Sequence, residues 1–182
     1  YREEENNMKK RILTAVLAAA LVTGTCAATV SAKEEKTYTI GICQLVQHDA
    51  LDAATKGFED AITEKMGDSV KFDEQNAQGD SNTCSTIINS FVSEGADLIL
   101  ANATASLQAA AAGTSDIPIL GTAVTEYGVA LGIDDFDGTV GGNISGTSDL
   151  APLDEQADML HELFPDAKNV GLLYCSAEPN SQ

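Results

Sequence analysis

The sequence contains no tryptophan, and aromatic residues make up only 5% of its 182 positions. Basic residues are also scarce: 10 Lys and Arg stand against 28 Asp and Glu, which leaves a formal net charge of -18. This balance disfavours a nucleic-acid partner, because phosphate recognition needs clustered Lys and Arg. Hydrophobic residues still make up 43% of the chain. That proportion is typical of a globular protein and not of a disordered one.

Cysteine occurs at only four positions, Cys26, Cys43, Cys84 and Cys175, and no pair has C-x-x-C spacing. The pattern supports neither a disulfide framework nor a zinc site, and no metal or other cofactor is predicted. Cys43 lies in an apolar stretch, and Cys84 lies on the apolar face of a predicted helix. Both are therefore predicted to be buried free thiols.

Sequence signatures of catalysis are missing as well. There is no G-x-S-x-G or H-E-x-x-H motif, and neither His48 nor His161 lies in a context that indicates a catalytic base. Gly141, Gly142 and Gly146 are not followed by the Lys of a phosphate-binding loop. The chain is predicted not to be an enzyme, and an exported α/β hydrolase is the less favoured alternative.

The first 32 residues are predicted to be an upstream extension followed by a signal peptide. Met8 precedes three basic residues and an apolar run, 12–22, which is too short to span a bilayer. Two processing routes are open: cleavage after Ala32, or lipidation of Cys26, where Thr25 replaces the expected Gly or Ala. Either route predicts an exported protein, at the cell surface or in the periplasm.

Strand and helix patterns alternate along the rest of the chain. Apolar runs predict strands over 38–43, 70–72, 97–101, 117–120 and 129–133. Amphipathic stripes predict three helices, 51–66, 84–92 and 106–112, each of which is followed by a glycine. This order predicts an α/β fold with an open, parallel, doubly wound sheet.

The predicted domain organisation divides the chain at a segment of different composition. Residues 33–133 form the first α/β lobe, and the Gly-, Asp-, Ser- and Thr-rich segment 134–149 is a crossover or hinge. A helix over 152–164 and a buried strand over 169–175 then begin a second α/β lobe, 150–182. This second lobe is expected to be truncated at the end of the sequence.

Polar side chains follow the predicted strands, at the sheet edge where open α/β proteins bind ligands. They are mainly amides and hydroxyls, which suit a zwitterion or another polar solute. The candidate ligand-binding residues are Gln44, Gln47, His48, Asn76, Asn102, Thr104, Ser106, Thr125, Ser176, Glu178, Asn180 and Ser181. The loop 102–106 is the strongest candidate, because it enters a helix whose N-terminus can hold a carboxylate.

Several candidates also have a structural alternative. Thr104 or Ser106 would cap the helix that begins there. His48 would be a hydrogen-bonding or exposed residue, Asn76 would stabilise its own loop, and Glu178 would be an exposed loop charge.

Three stretches, QNAQGDSNTCSTIINSFVSEGADLILANATASLQAA, NISGTSDLAP and YCSAEPNSQ, resemble the bacterial ABC-transporter substrate-binding family related to tryptophan and tyrosine import proteins. The resemblance runs from about residue 38 to the end of the sequence. It implies a type I periplasmic-binding-protein fold, in which two doubly wound lobes close on a ligand. It also implies a monomeric solute receptor that delivers a small polar ligand, an amino acid, to an ABC permease. A ligand-sensing module of a membrane signalling protein would share this lobe and is the main alternative.

The resemblance adds Thr147, Ser148 and Asp149 to the predicted ligand cleft. Asp149 or Glu178 would pair with an α-ammonium group, although Asp149 equally suits a helix N-terminal charge. If the amino acid is aromatic, Tyr127 is a candidate stacking partner.

Overall fold

The computed structural model describes residues 36–181, which contain one five-stranded sheet. The strands are β1 (Tyr38–Gln44), β2 (Val70–Asn76), β3 (Leu98–Asn102), β4 (Ile119–Val124) and β5 (Ile144–Ser148). Their order in the sheet is β2-β1-β3-β4-β5, and every neighbouring pair is parallel. The predicted open parallel α/β sheet is confirmed.

Five helices accompany the strands in the described part of the chain. They are α1 (Asp49–Met66), α2 (Ser81–Glu94), α3 (Thr104–Gly113), α4 (Tyr127–Leu131) and α5 (Leu153–Leu163). Short 3-10 turns occupy Gly67–Ser69 and Pro179–Ser181. α1 packs on one face of the sheet, and α2, α3 and α4 pack on the other. The sheet is therefore covered on both faces, as a doubly wound fold requires.

The larger part of the core lies between the sheet and α2, α3 and α4. There Ile87, Ile88 and Phe91 of α2 meet buried residues of β1, β3 and β4. The Phe91 ring packs directly over Gly41 of β1, where an added Cβ would lie 2.6 Å from the ring. The smaller cluster joins Ile40 and Ile42 to Phe58 and Ile62 of α1.

The termini of α2 show why the predicted helices form. The Asp80 carboxylate accepts from the Thr83 amide at 2.6 Å, which caps the N-terminus. Gly95 ends the helix in the left-handed conformation, with φ 75°, as predicted for a glycine that follows a helix. Burial of Cys43 and Cys84 as free thiols is also confirmed, whereas Cys175 is exposed.

The strand predicted over 129–133 is wrong, because α4 continues to Leu131 and Gly132 ends it in the left-handed conformation. The Glu126 carboxylate accepts from the amides of Gly128 and Val129, and this cap starts a helix that Gly132 ends. The fifth strand instead forms within the segment 134–149. β5 pairs with β4, which becomes an interior strand that begins directly after Pro118.

The buried strand predicted over 169–175 is also wrong. No strand lies beside this segment among residues 36–181, and its apolar side chains are exposed, to 88% for Leu172 and 102% for Leu173. An extended apolar segment needs a neighbouring strand to pair its backbone groups. The helix predicted over 152–164 is confirmed as α5, which has no buried residue.

The predicted signal peptide, Ala32 cleavage site and Cys26 lipidation site lie outside the described residues. Within residues 36–181, no helix is long and apolar enough to cross a membrane.

Candidate functional site

The sheet order creates a switch point between β1 and β3. The chain runs from β1 to β2 on one side and then returns to β3 on the other side of β1. α1 follows β1 and α3 follows β3, and these helices lie on opposite faces of the sheet. A crevice therefore opens beyond the carboxyl ends of β1 and β3, which is where ligands bind in this class of fold.

A buried hydrogen-bond network at these strand ends ties β1 and β3 to α1. Gln44 Nε2 donates to Asp52 Oδ1 at 2.6 Å, and Thr55 Oγ1 donates to Gln44 Oε1 at 2.7 Å. Asn102 Nδ2 donates to Leu51 O and to Thr55 Oγ1, each at 2.9 Å. Gln44, Thr55 and Asn102 are buried. The network holds the crevice floor in one arrangement, and Gln44 has partners for both ends of its amide.

One atom of this network lacks a partner. Asn102 is fully buried, and its Oδ1 accepts no hydrogen bond from the described residues. An unpaired buried acceptor costs about 1–3 kcal/mol, so folded proteins usually satisfy such atoms with water or a ligand. Asn102 Oδ1 is therefore an acceptor that a ligand donor or a bound water can satisfy.

α3 begins at the crevice without a side-chain cap. The preceding residue, Ala103, has φ 90° and ψ 162°, a conformation that L-residues rarely adopt. The predicted capping of this helix by Thr104 or Ser106 is wrong, since both residues lie inside α3 and neither caps it. The first-turn amides and the positive end of the helix dipole are available to a carboxylate.

Ser106 faces the core and not the crevice. It is fully buried, and its Oγ lies 3.5 Å from Cys43 Sγ and 3.6 Å from Cys84 Sγ. Burial raises the pKa of the Cys43 thiol to about 12, so this thiol remains protonated at neutral pH. The structure therefore does not bring Ser106 together with the other candidate residues.

Three candidates lie in the β1–α1 loop and at the end of β2. His48 Nδ1 accepts from the Ala50 amide at 3.2 Å and caps α1. Asn76 Oδ1 accepts from the Gln78 amide at 2.9 Å and stabilises the turn after β2. His48 and Asn76 thus have the structural roles given above as the alternatives to ligand binding, a hydrogen-bonding residue and a loop-stabilising residue. Gln47 is exposed beside His48.

A second polar group lies at the carboxyl ends of β4 and β5. Ser148 Oγ donates to Thr125 O at 2.5 Å, and the Asp149 amide donates to Val124 O at 3.2 Å. Thr147 and Asp149 are exposed. Strand pairing therefore brings Thr125, Thr147, Ser148 and Asp149 to the same sheet edge as the loop after β3.

Tyr127 packs largely inside the protein, and its ring is not presented at the β1–β3 crevice. It is 5% exposed, and its ring lies against Gly121 and Gly146, where a Cβ would clash with the phenol. Its hydroxyl donates to Thr147 O at 3.2 Å, and burial raises its pKa. The predicted stacking role of Tyr127 is therefore wrong, because glycines on two neighbouring strands open a slot that encloses the ring.

The last described residues return to the start of α3. The Glu178 carboxylate accepts from the Asn180 amide at 3.2 Å, and Asn180 Nδ2 donates to Thr104 Oγ1 at 3.3 Å. Ser181 is half-buried in the same turn, and Ser176 precedes it. The structure thus joins Thr104 of the first lobe to Asn180 of the predicted second lobe.

Asp52 and Thr55 are the site residues that sequence reasoning missed. Both lie on α1, and only the register of β1 and β3 brings them to Gln44 and Asn102. The one signal in the sequence is a polar residue, Thr55, on the otherwise apolar face of α1.

An open cavity of about 710 Å³ lies elsewhere, beside the unpaired edge of β5. Tyr127, Phe136, Val140, Ile144 and Leu150 are among its lining residues. Because its wall is largely apolar and lies away from the β1–β3 switch point, we do not assign the ligand to it. Within residues 36–181, no three His, Cys, Asp or Glu residues are placed to hold a metal ion.

The family model described as ABC transporter substrate binding protein matches residues 39–182. The chain belongs to this family. A curated relative, the tyrosine-binding protein of Clostridioides difficile (strain R20291), is 45% identical over 151 residues, which are 81% of this chain and 44% of the relative. The chain thus spans less than half the length of that relative.

Two solved structures share the fold of this chain and have 35% and 42% sequence identity to it. The ABC domain from Streptococcus pneumonia in complex with L-Trp has a TM-score of 0.74 and 35% identity. The ligand-free, open structure of a substrate binding protein with adhesive properties from Clostridium difficile has a TM-score of 0.65 and 42% identity. Each comparison covers 80% of this chain and 50% of the other. The predicted type I periplasmic-binding-protein fold is confirmed.

Proposed function

We propose that this chain is the ligand-binding part of an extracytoplasmic solute receptor of an ABC importer, and that its ligand is an amino acid. The observation that most directly supports this proposal is the structure of the loop 102–104. There the uncapped N-terminus of α3 lies next to Asn102 Oδ1, a buried amide oxygen without a hydrogen-bond partner among the described residues. An amino acid supplies a carboxylate for the helix N-terminus and N–H donors for acceptors nearby. No catalytic constellation is needed for this role.

The relatives support an aromatic amino acid as the first choice. One relative is named for tyrosine, and a solved neighbour holds L-Trp. Among the carboxylates, Asp149 is the favoured partner for the ligand ammonium group. It is exposed at the sheet edge, whereas the Glu178 carboxylate already accepts from the Asn180 amide.

In this proposal, the receptor is an exported monomer that delivers its ligand to a membrane-embedded ABC permease. Its processing follows one of the two predicted routes, cleavage after Ala32 or lipidation of Cys26. Lobe closure around the ligand is the conformational change that the permease would recognise.

Isothermal titration of the full-length mature protein tests the ligand class. We expect L-tyrosine or L-tryptophan to bind, and the matching amine without a carboxylate, tyramine or tryptamine, to bind on the order of 100-fold more weakly. Binding of a sugar or a nucleoside, with no response to any amino acid, would contradict the proposal.

A matched pair of variants tests the ammonium partner. Asp149→Asn should weaken L-tyrosine on the order of 10-fold, but should leave the affinity for 3-(4-hydroxyphenyl)propionate, which lacks the amino group, unchanged. Asp154→Asn, an exposed carboxylate in the first turn of α5, is the control and should alter neither affinity. An equal loss for both ligands would remove Asp149 from this role.

A further inference from the structure

The segment that leaves β5 is fixed to the loop that follows β4. The Tyr127 hydroxyl donates to Thr147 O at 3.2 Å, and Ser148 Oγ donates to Thr125 O at 2.5 Å. These two bonds join residues that are 20 and 23 positions apart in the sequence. Residues 147–150 are exposed, so hydrogen bonds to the β4 loop, and not burial, hold them in place.

An irregularity in β4 brings this loop to β5. The parallel pairing reaches Gly121 and Gly146 and resumes at Val124 and Ser148, so β4 contributes three residues where β5 contributes two. Ala123 lies in this interval with φ 53°, a left-handed conformation that is uncommon for a residue other than glycine. A bulge of this kind bends a strand and redirects its end.

The Tyr127 side chain reaches Thr147 through a slot that glycines leave open. A Cβ at Gly121 of β4 or at Gly146 of β5 would clash with the Tyr127 hydroxyl. Burial raises the pKa of Tyr127 more than the hydrogen bond to Thr147 lowers it, and the charge of Asp149 raises it as well. The phenol therefore stays protonated at neutral pH and acts as a donor.

We propose that Tyr127 is a positioning residue for the ligand ammonium group, because its hydroxyl fixes the backbone from which the Asp149 side chain projects. The inference rests on the proposed function, in which Asp149 is the ammonium partner. Asp149 is exposed, so the place of its carboxylate follows chiefly from the backbone that carries it. A carboxylate that is held in place before the ligand arrives loses less conformational freedom on binding than a mobile one.

Isothermal titration of the full-length mature protein tests this role with two probes, L-tyrosine and 3-(4-hydroxyphenyl)propionate, which lacks the amino group. Tyr127→Phe keeps the ring in its slot and removes the hydroxyl. It should weaken L-tyrosine on the order of 5-fold and leave the second probe unchanged. In an Asp149→Asn background, Tyr127→Phe should have no further effect on L-tyrosine, because the two residues act as one unit. Tyr38→Phe, at the amino end of β1 and so at the opposite sheet edge, is the matched control and should alter neither affinity.

The outcomes separate this inference from the proposed function. An equal loss for both probes would make Tyr127 a purely structural residue, and additive effects of Tyr127→Phe and Asp149→Asn would show that it does not act through Asp149. Either result would overturn the inference and leave amino-acid binding intact. If Asp149→Asn leaves the L-tyrosine affinity unchanged, the ammonium assignment and this inference both fail.

Amide hydrogen exchange of the ligand-free protein is a second measurement, which does not depend on the choice of ligand. The Asp149 amide donates to Val124 O and the Leu150 amide donates to Ser148 Oγ, each at 3.2 Å. In Tyr127→Phe these two amides should exchange on the order of 10-fold faster, while amides in the middle of α2 should not change. Unchanged exchange at positions 149 and 150 would show that the Tyr127 hydroxyl does not hold this segment, and would overturn the inference.

Discussion

Gly41 shows how much a single residue decides in this sheet. It lies on β1 beneath the Phe91 ring, and α2 approaches the strand only because no side chain intervenes. Close packing of this kind tolerates added atoms poorly, because neighbouring side chains and backbone must shift to accommodate them.

Gly41→Ala should therefore destabilise the fold by about 1–3 kcal/mol, which urea unfolding would measure. The cost should shrink in a Phe91→Leu background, because the smaller side chain leaves room for the new methyl group. Gly57→Ala is the matched control: this glycine is in α1 with nothing near its Cβ position, so the change should stabilise by about 0.5–1 kcal/mol. Equal effects of the two glycine changes would contradict this account.

Residues of the site divide by the direction in which they point. Cys43 and Gln44 are neighbours on β1, yet Cys43 meets Ser106 on one face and Gln44 meets Thr55 on the other. Strand alternation predicts that the two point apart. It does not predict their partners, which belong to helices that begin after different strands.

Helix termini decide the elements where sequence patterns were ambiguous. The Glu126 carboxylate accepts hydrogen bonds from two amides and so starts the helix α4. The apolar residues of this helix would suit a strand equally well. Asp80 caps α2 in the same way through the Thr83 amide and hydroxyl. Caps of this kind set where each helix begins, and hence which backbone amides face the site.

The Asp80 cap should make stability depend on pH. Hydrogen bonds from the backbone and hydroxyl of Thr83 lower the pKa of the Asp80 carboxyl. A lowered folded-state pKa contributes stability above the unfolded pKa, and this contribution is lost as pH falls through the folded value. Asp80→Asn, which stays neutral, should be less stable than the wild type at about pH 7 and equally stable at about pH 2.

Urea midpoints at the two pH values provide the measurement for this prediction. Asp166→Asn serves as the control, because Asp166 is an exposed carboxylate that follows α5. A difference between wild type and Asp80→Asn that persists unchanged to low pH would mean that the Asp80 charge does not stabilise the cap.

At the scale of the whole molecule, charge is the dominant property. The formal net charge of -18 makes the compact state self-repulsive near neutral pH. Added salt screens this repulsion, since the Debye length falls to about 10 Å at about 0.1 M ionic strength.

Raising NaCl from about 0.02 M to about 0.2 M should therefore raise the thermal unfolding midpoint at neutral pH. The same titration near the sequence pI of 4.1 is the internal control, because the net charge is then close to zero. Thermal unfolding followed by circular dichroism measures both. A midpoint that rises equally at the two pH values would mean that salt acts through something other than net charge.

The sequence alone determined the alternation of the first four strands with three helices, and the glycines that end α1 and α2. It did not determine the side-chain caps or the place of the fifth strand. The features that it determined are local, since periodicity and turn chemistry act over a few residues. Family membership followed from short motifs in the same way. The division into lobes at 133 and 149 stays a prediction, and β5 now extends the first sheet into that segment.

Only the tertiary structure decided what the polar residues do. The parallel register of β1 and β3 brings Gln44 beside Asn102. Thr55 of α1, the helix that follows β1, then hydrogen-bonds to Asn102. The same packing turns Ser106 toward two thiols and brings Asn180 to Thr104. These contacts join residues from 11 to 76 positions apart. Local periodicity carries no information over such separations, because crossover direction and strand order set them.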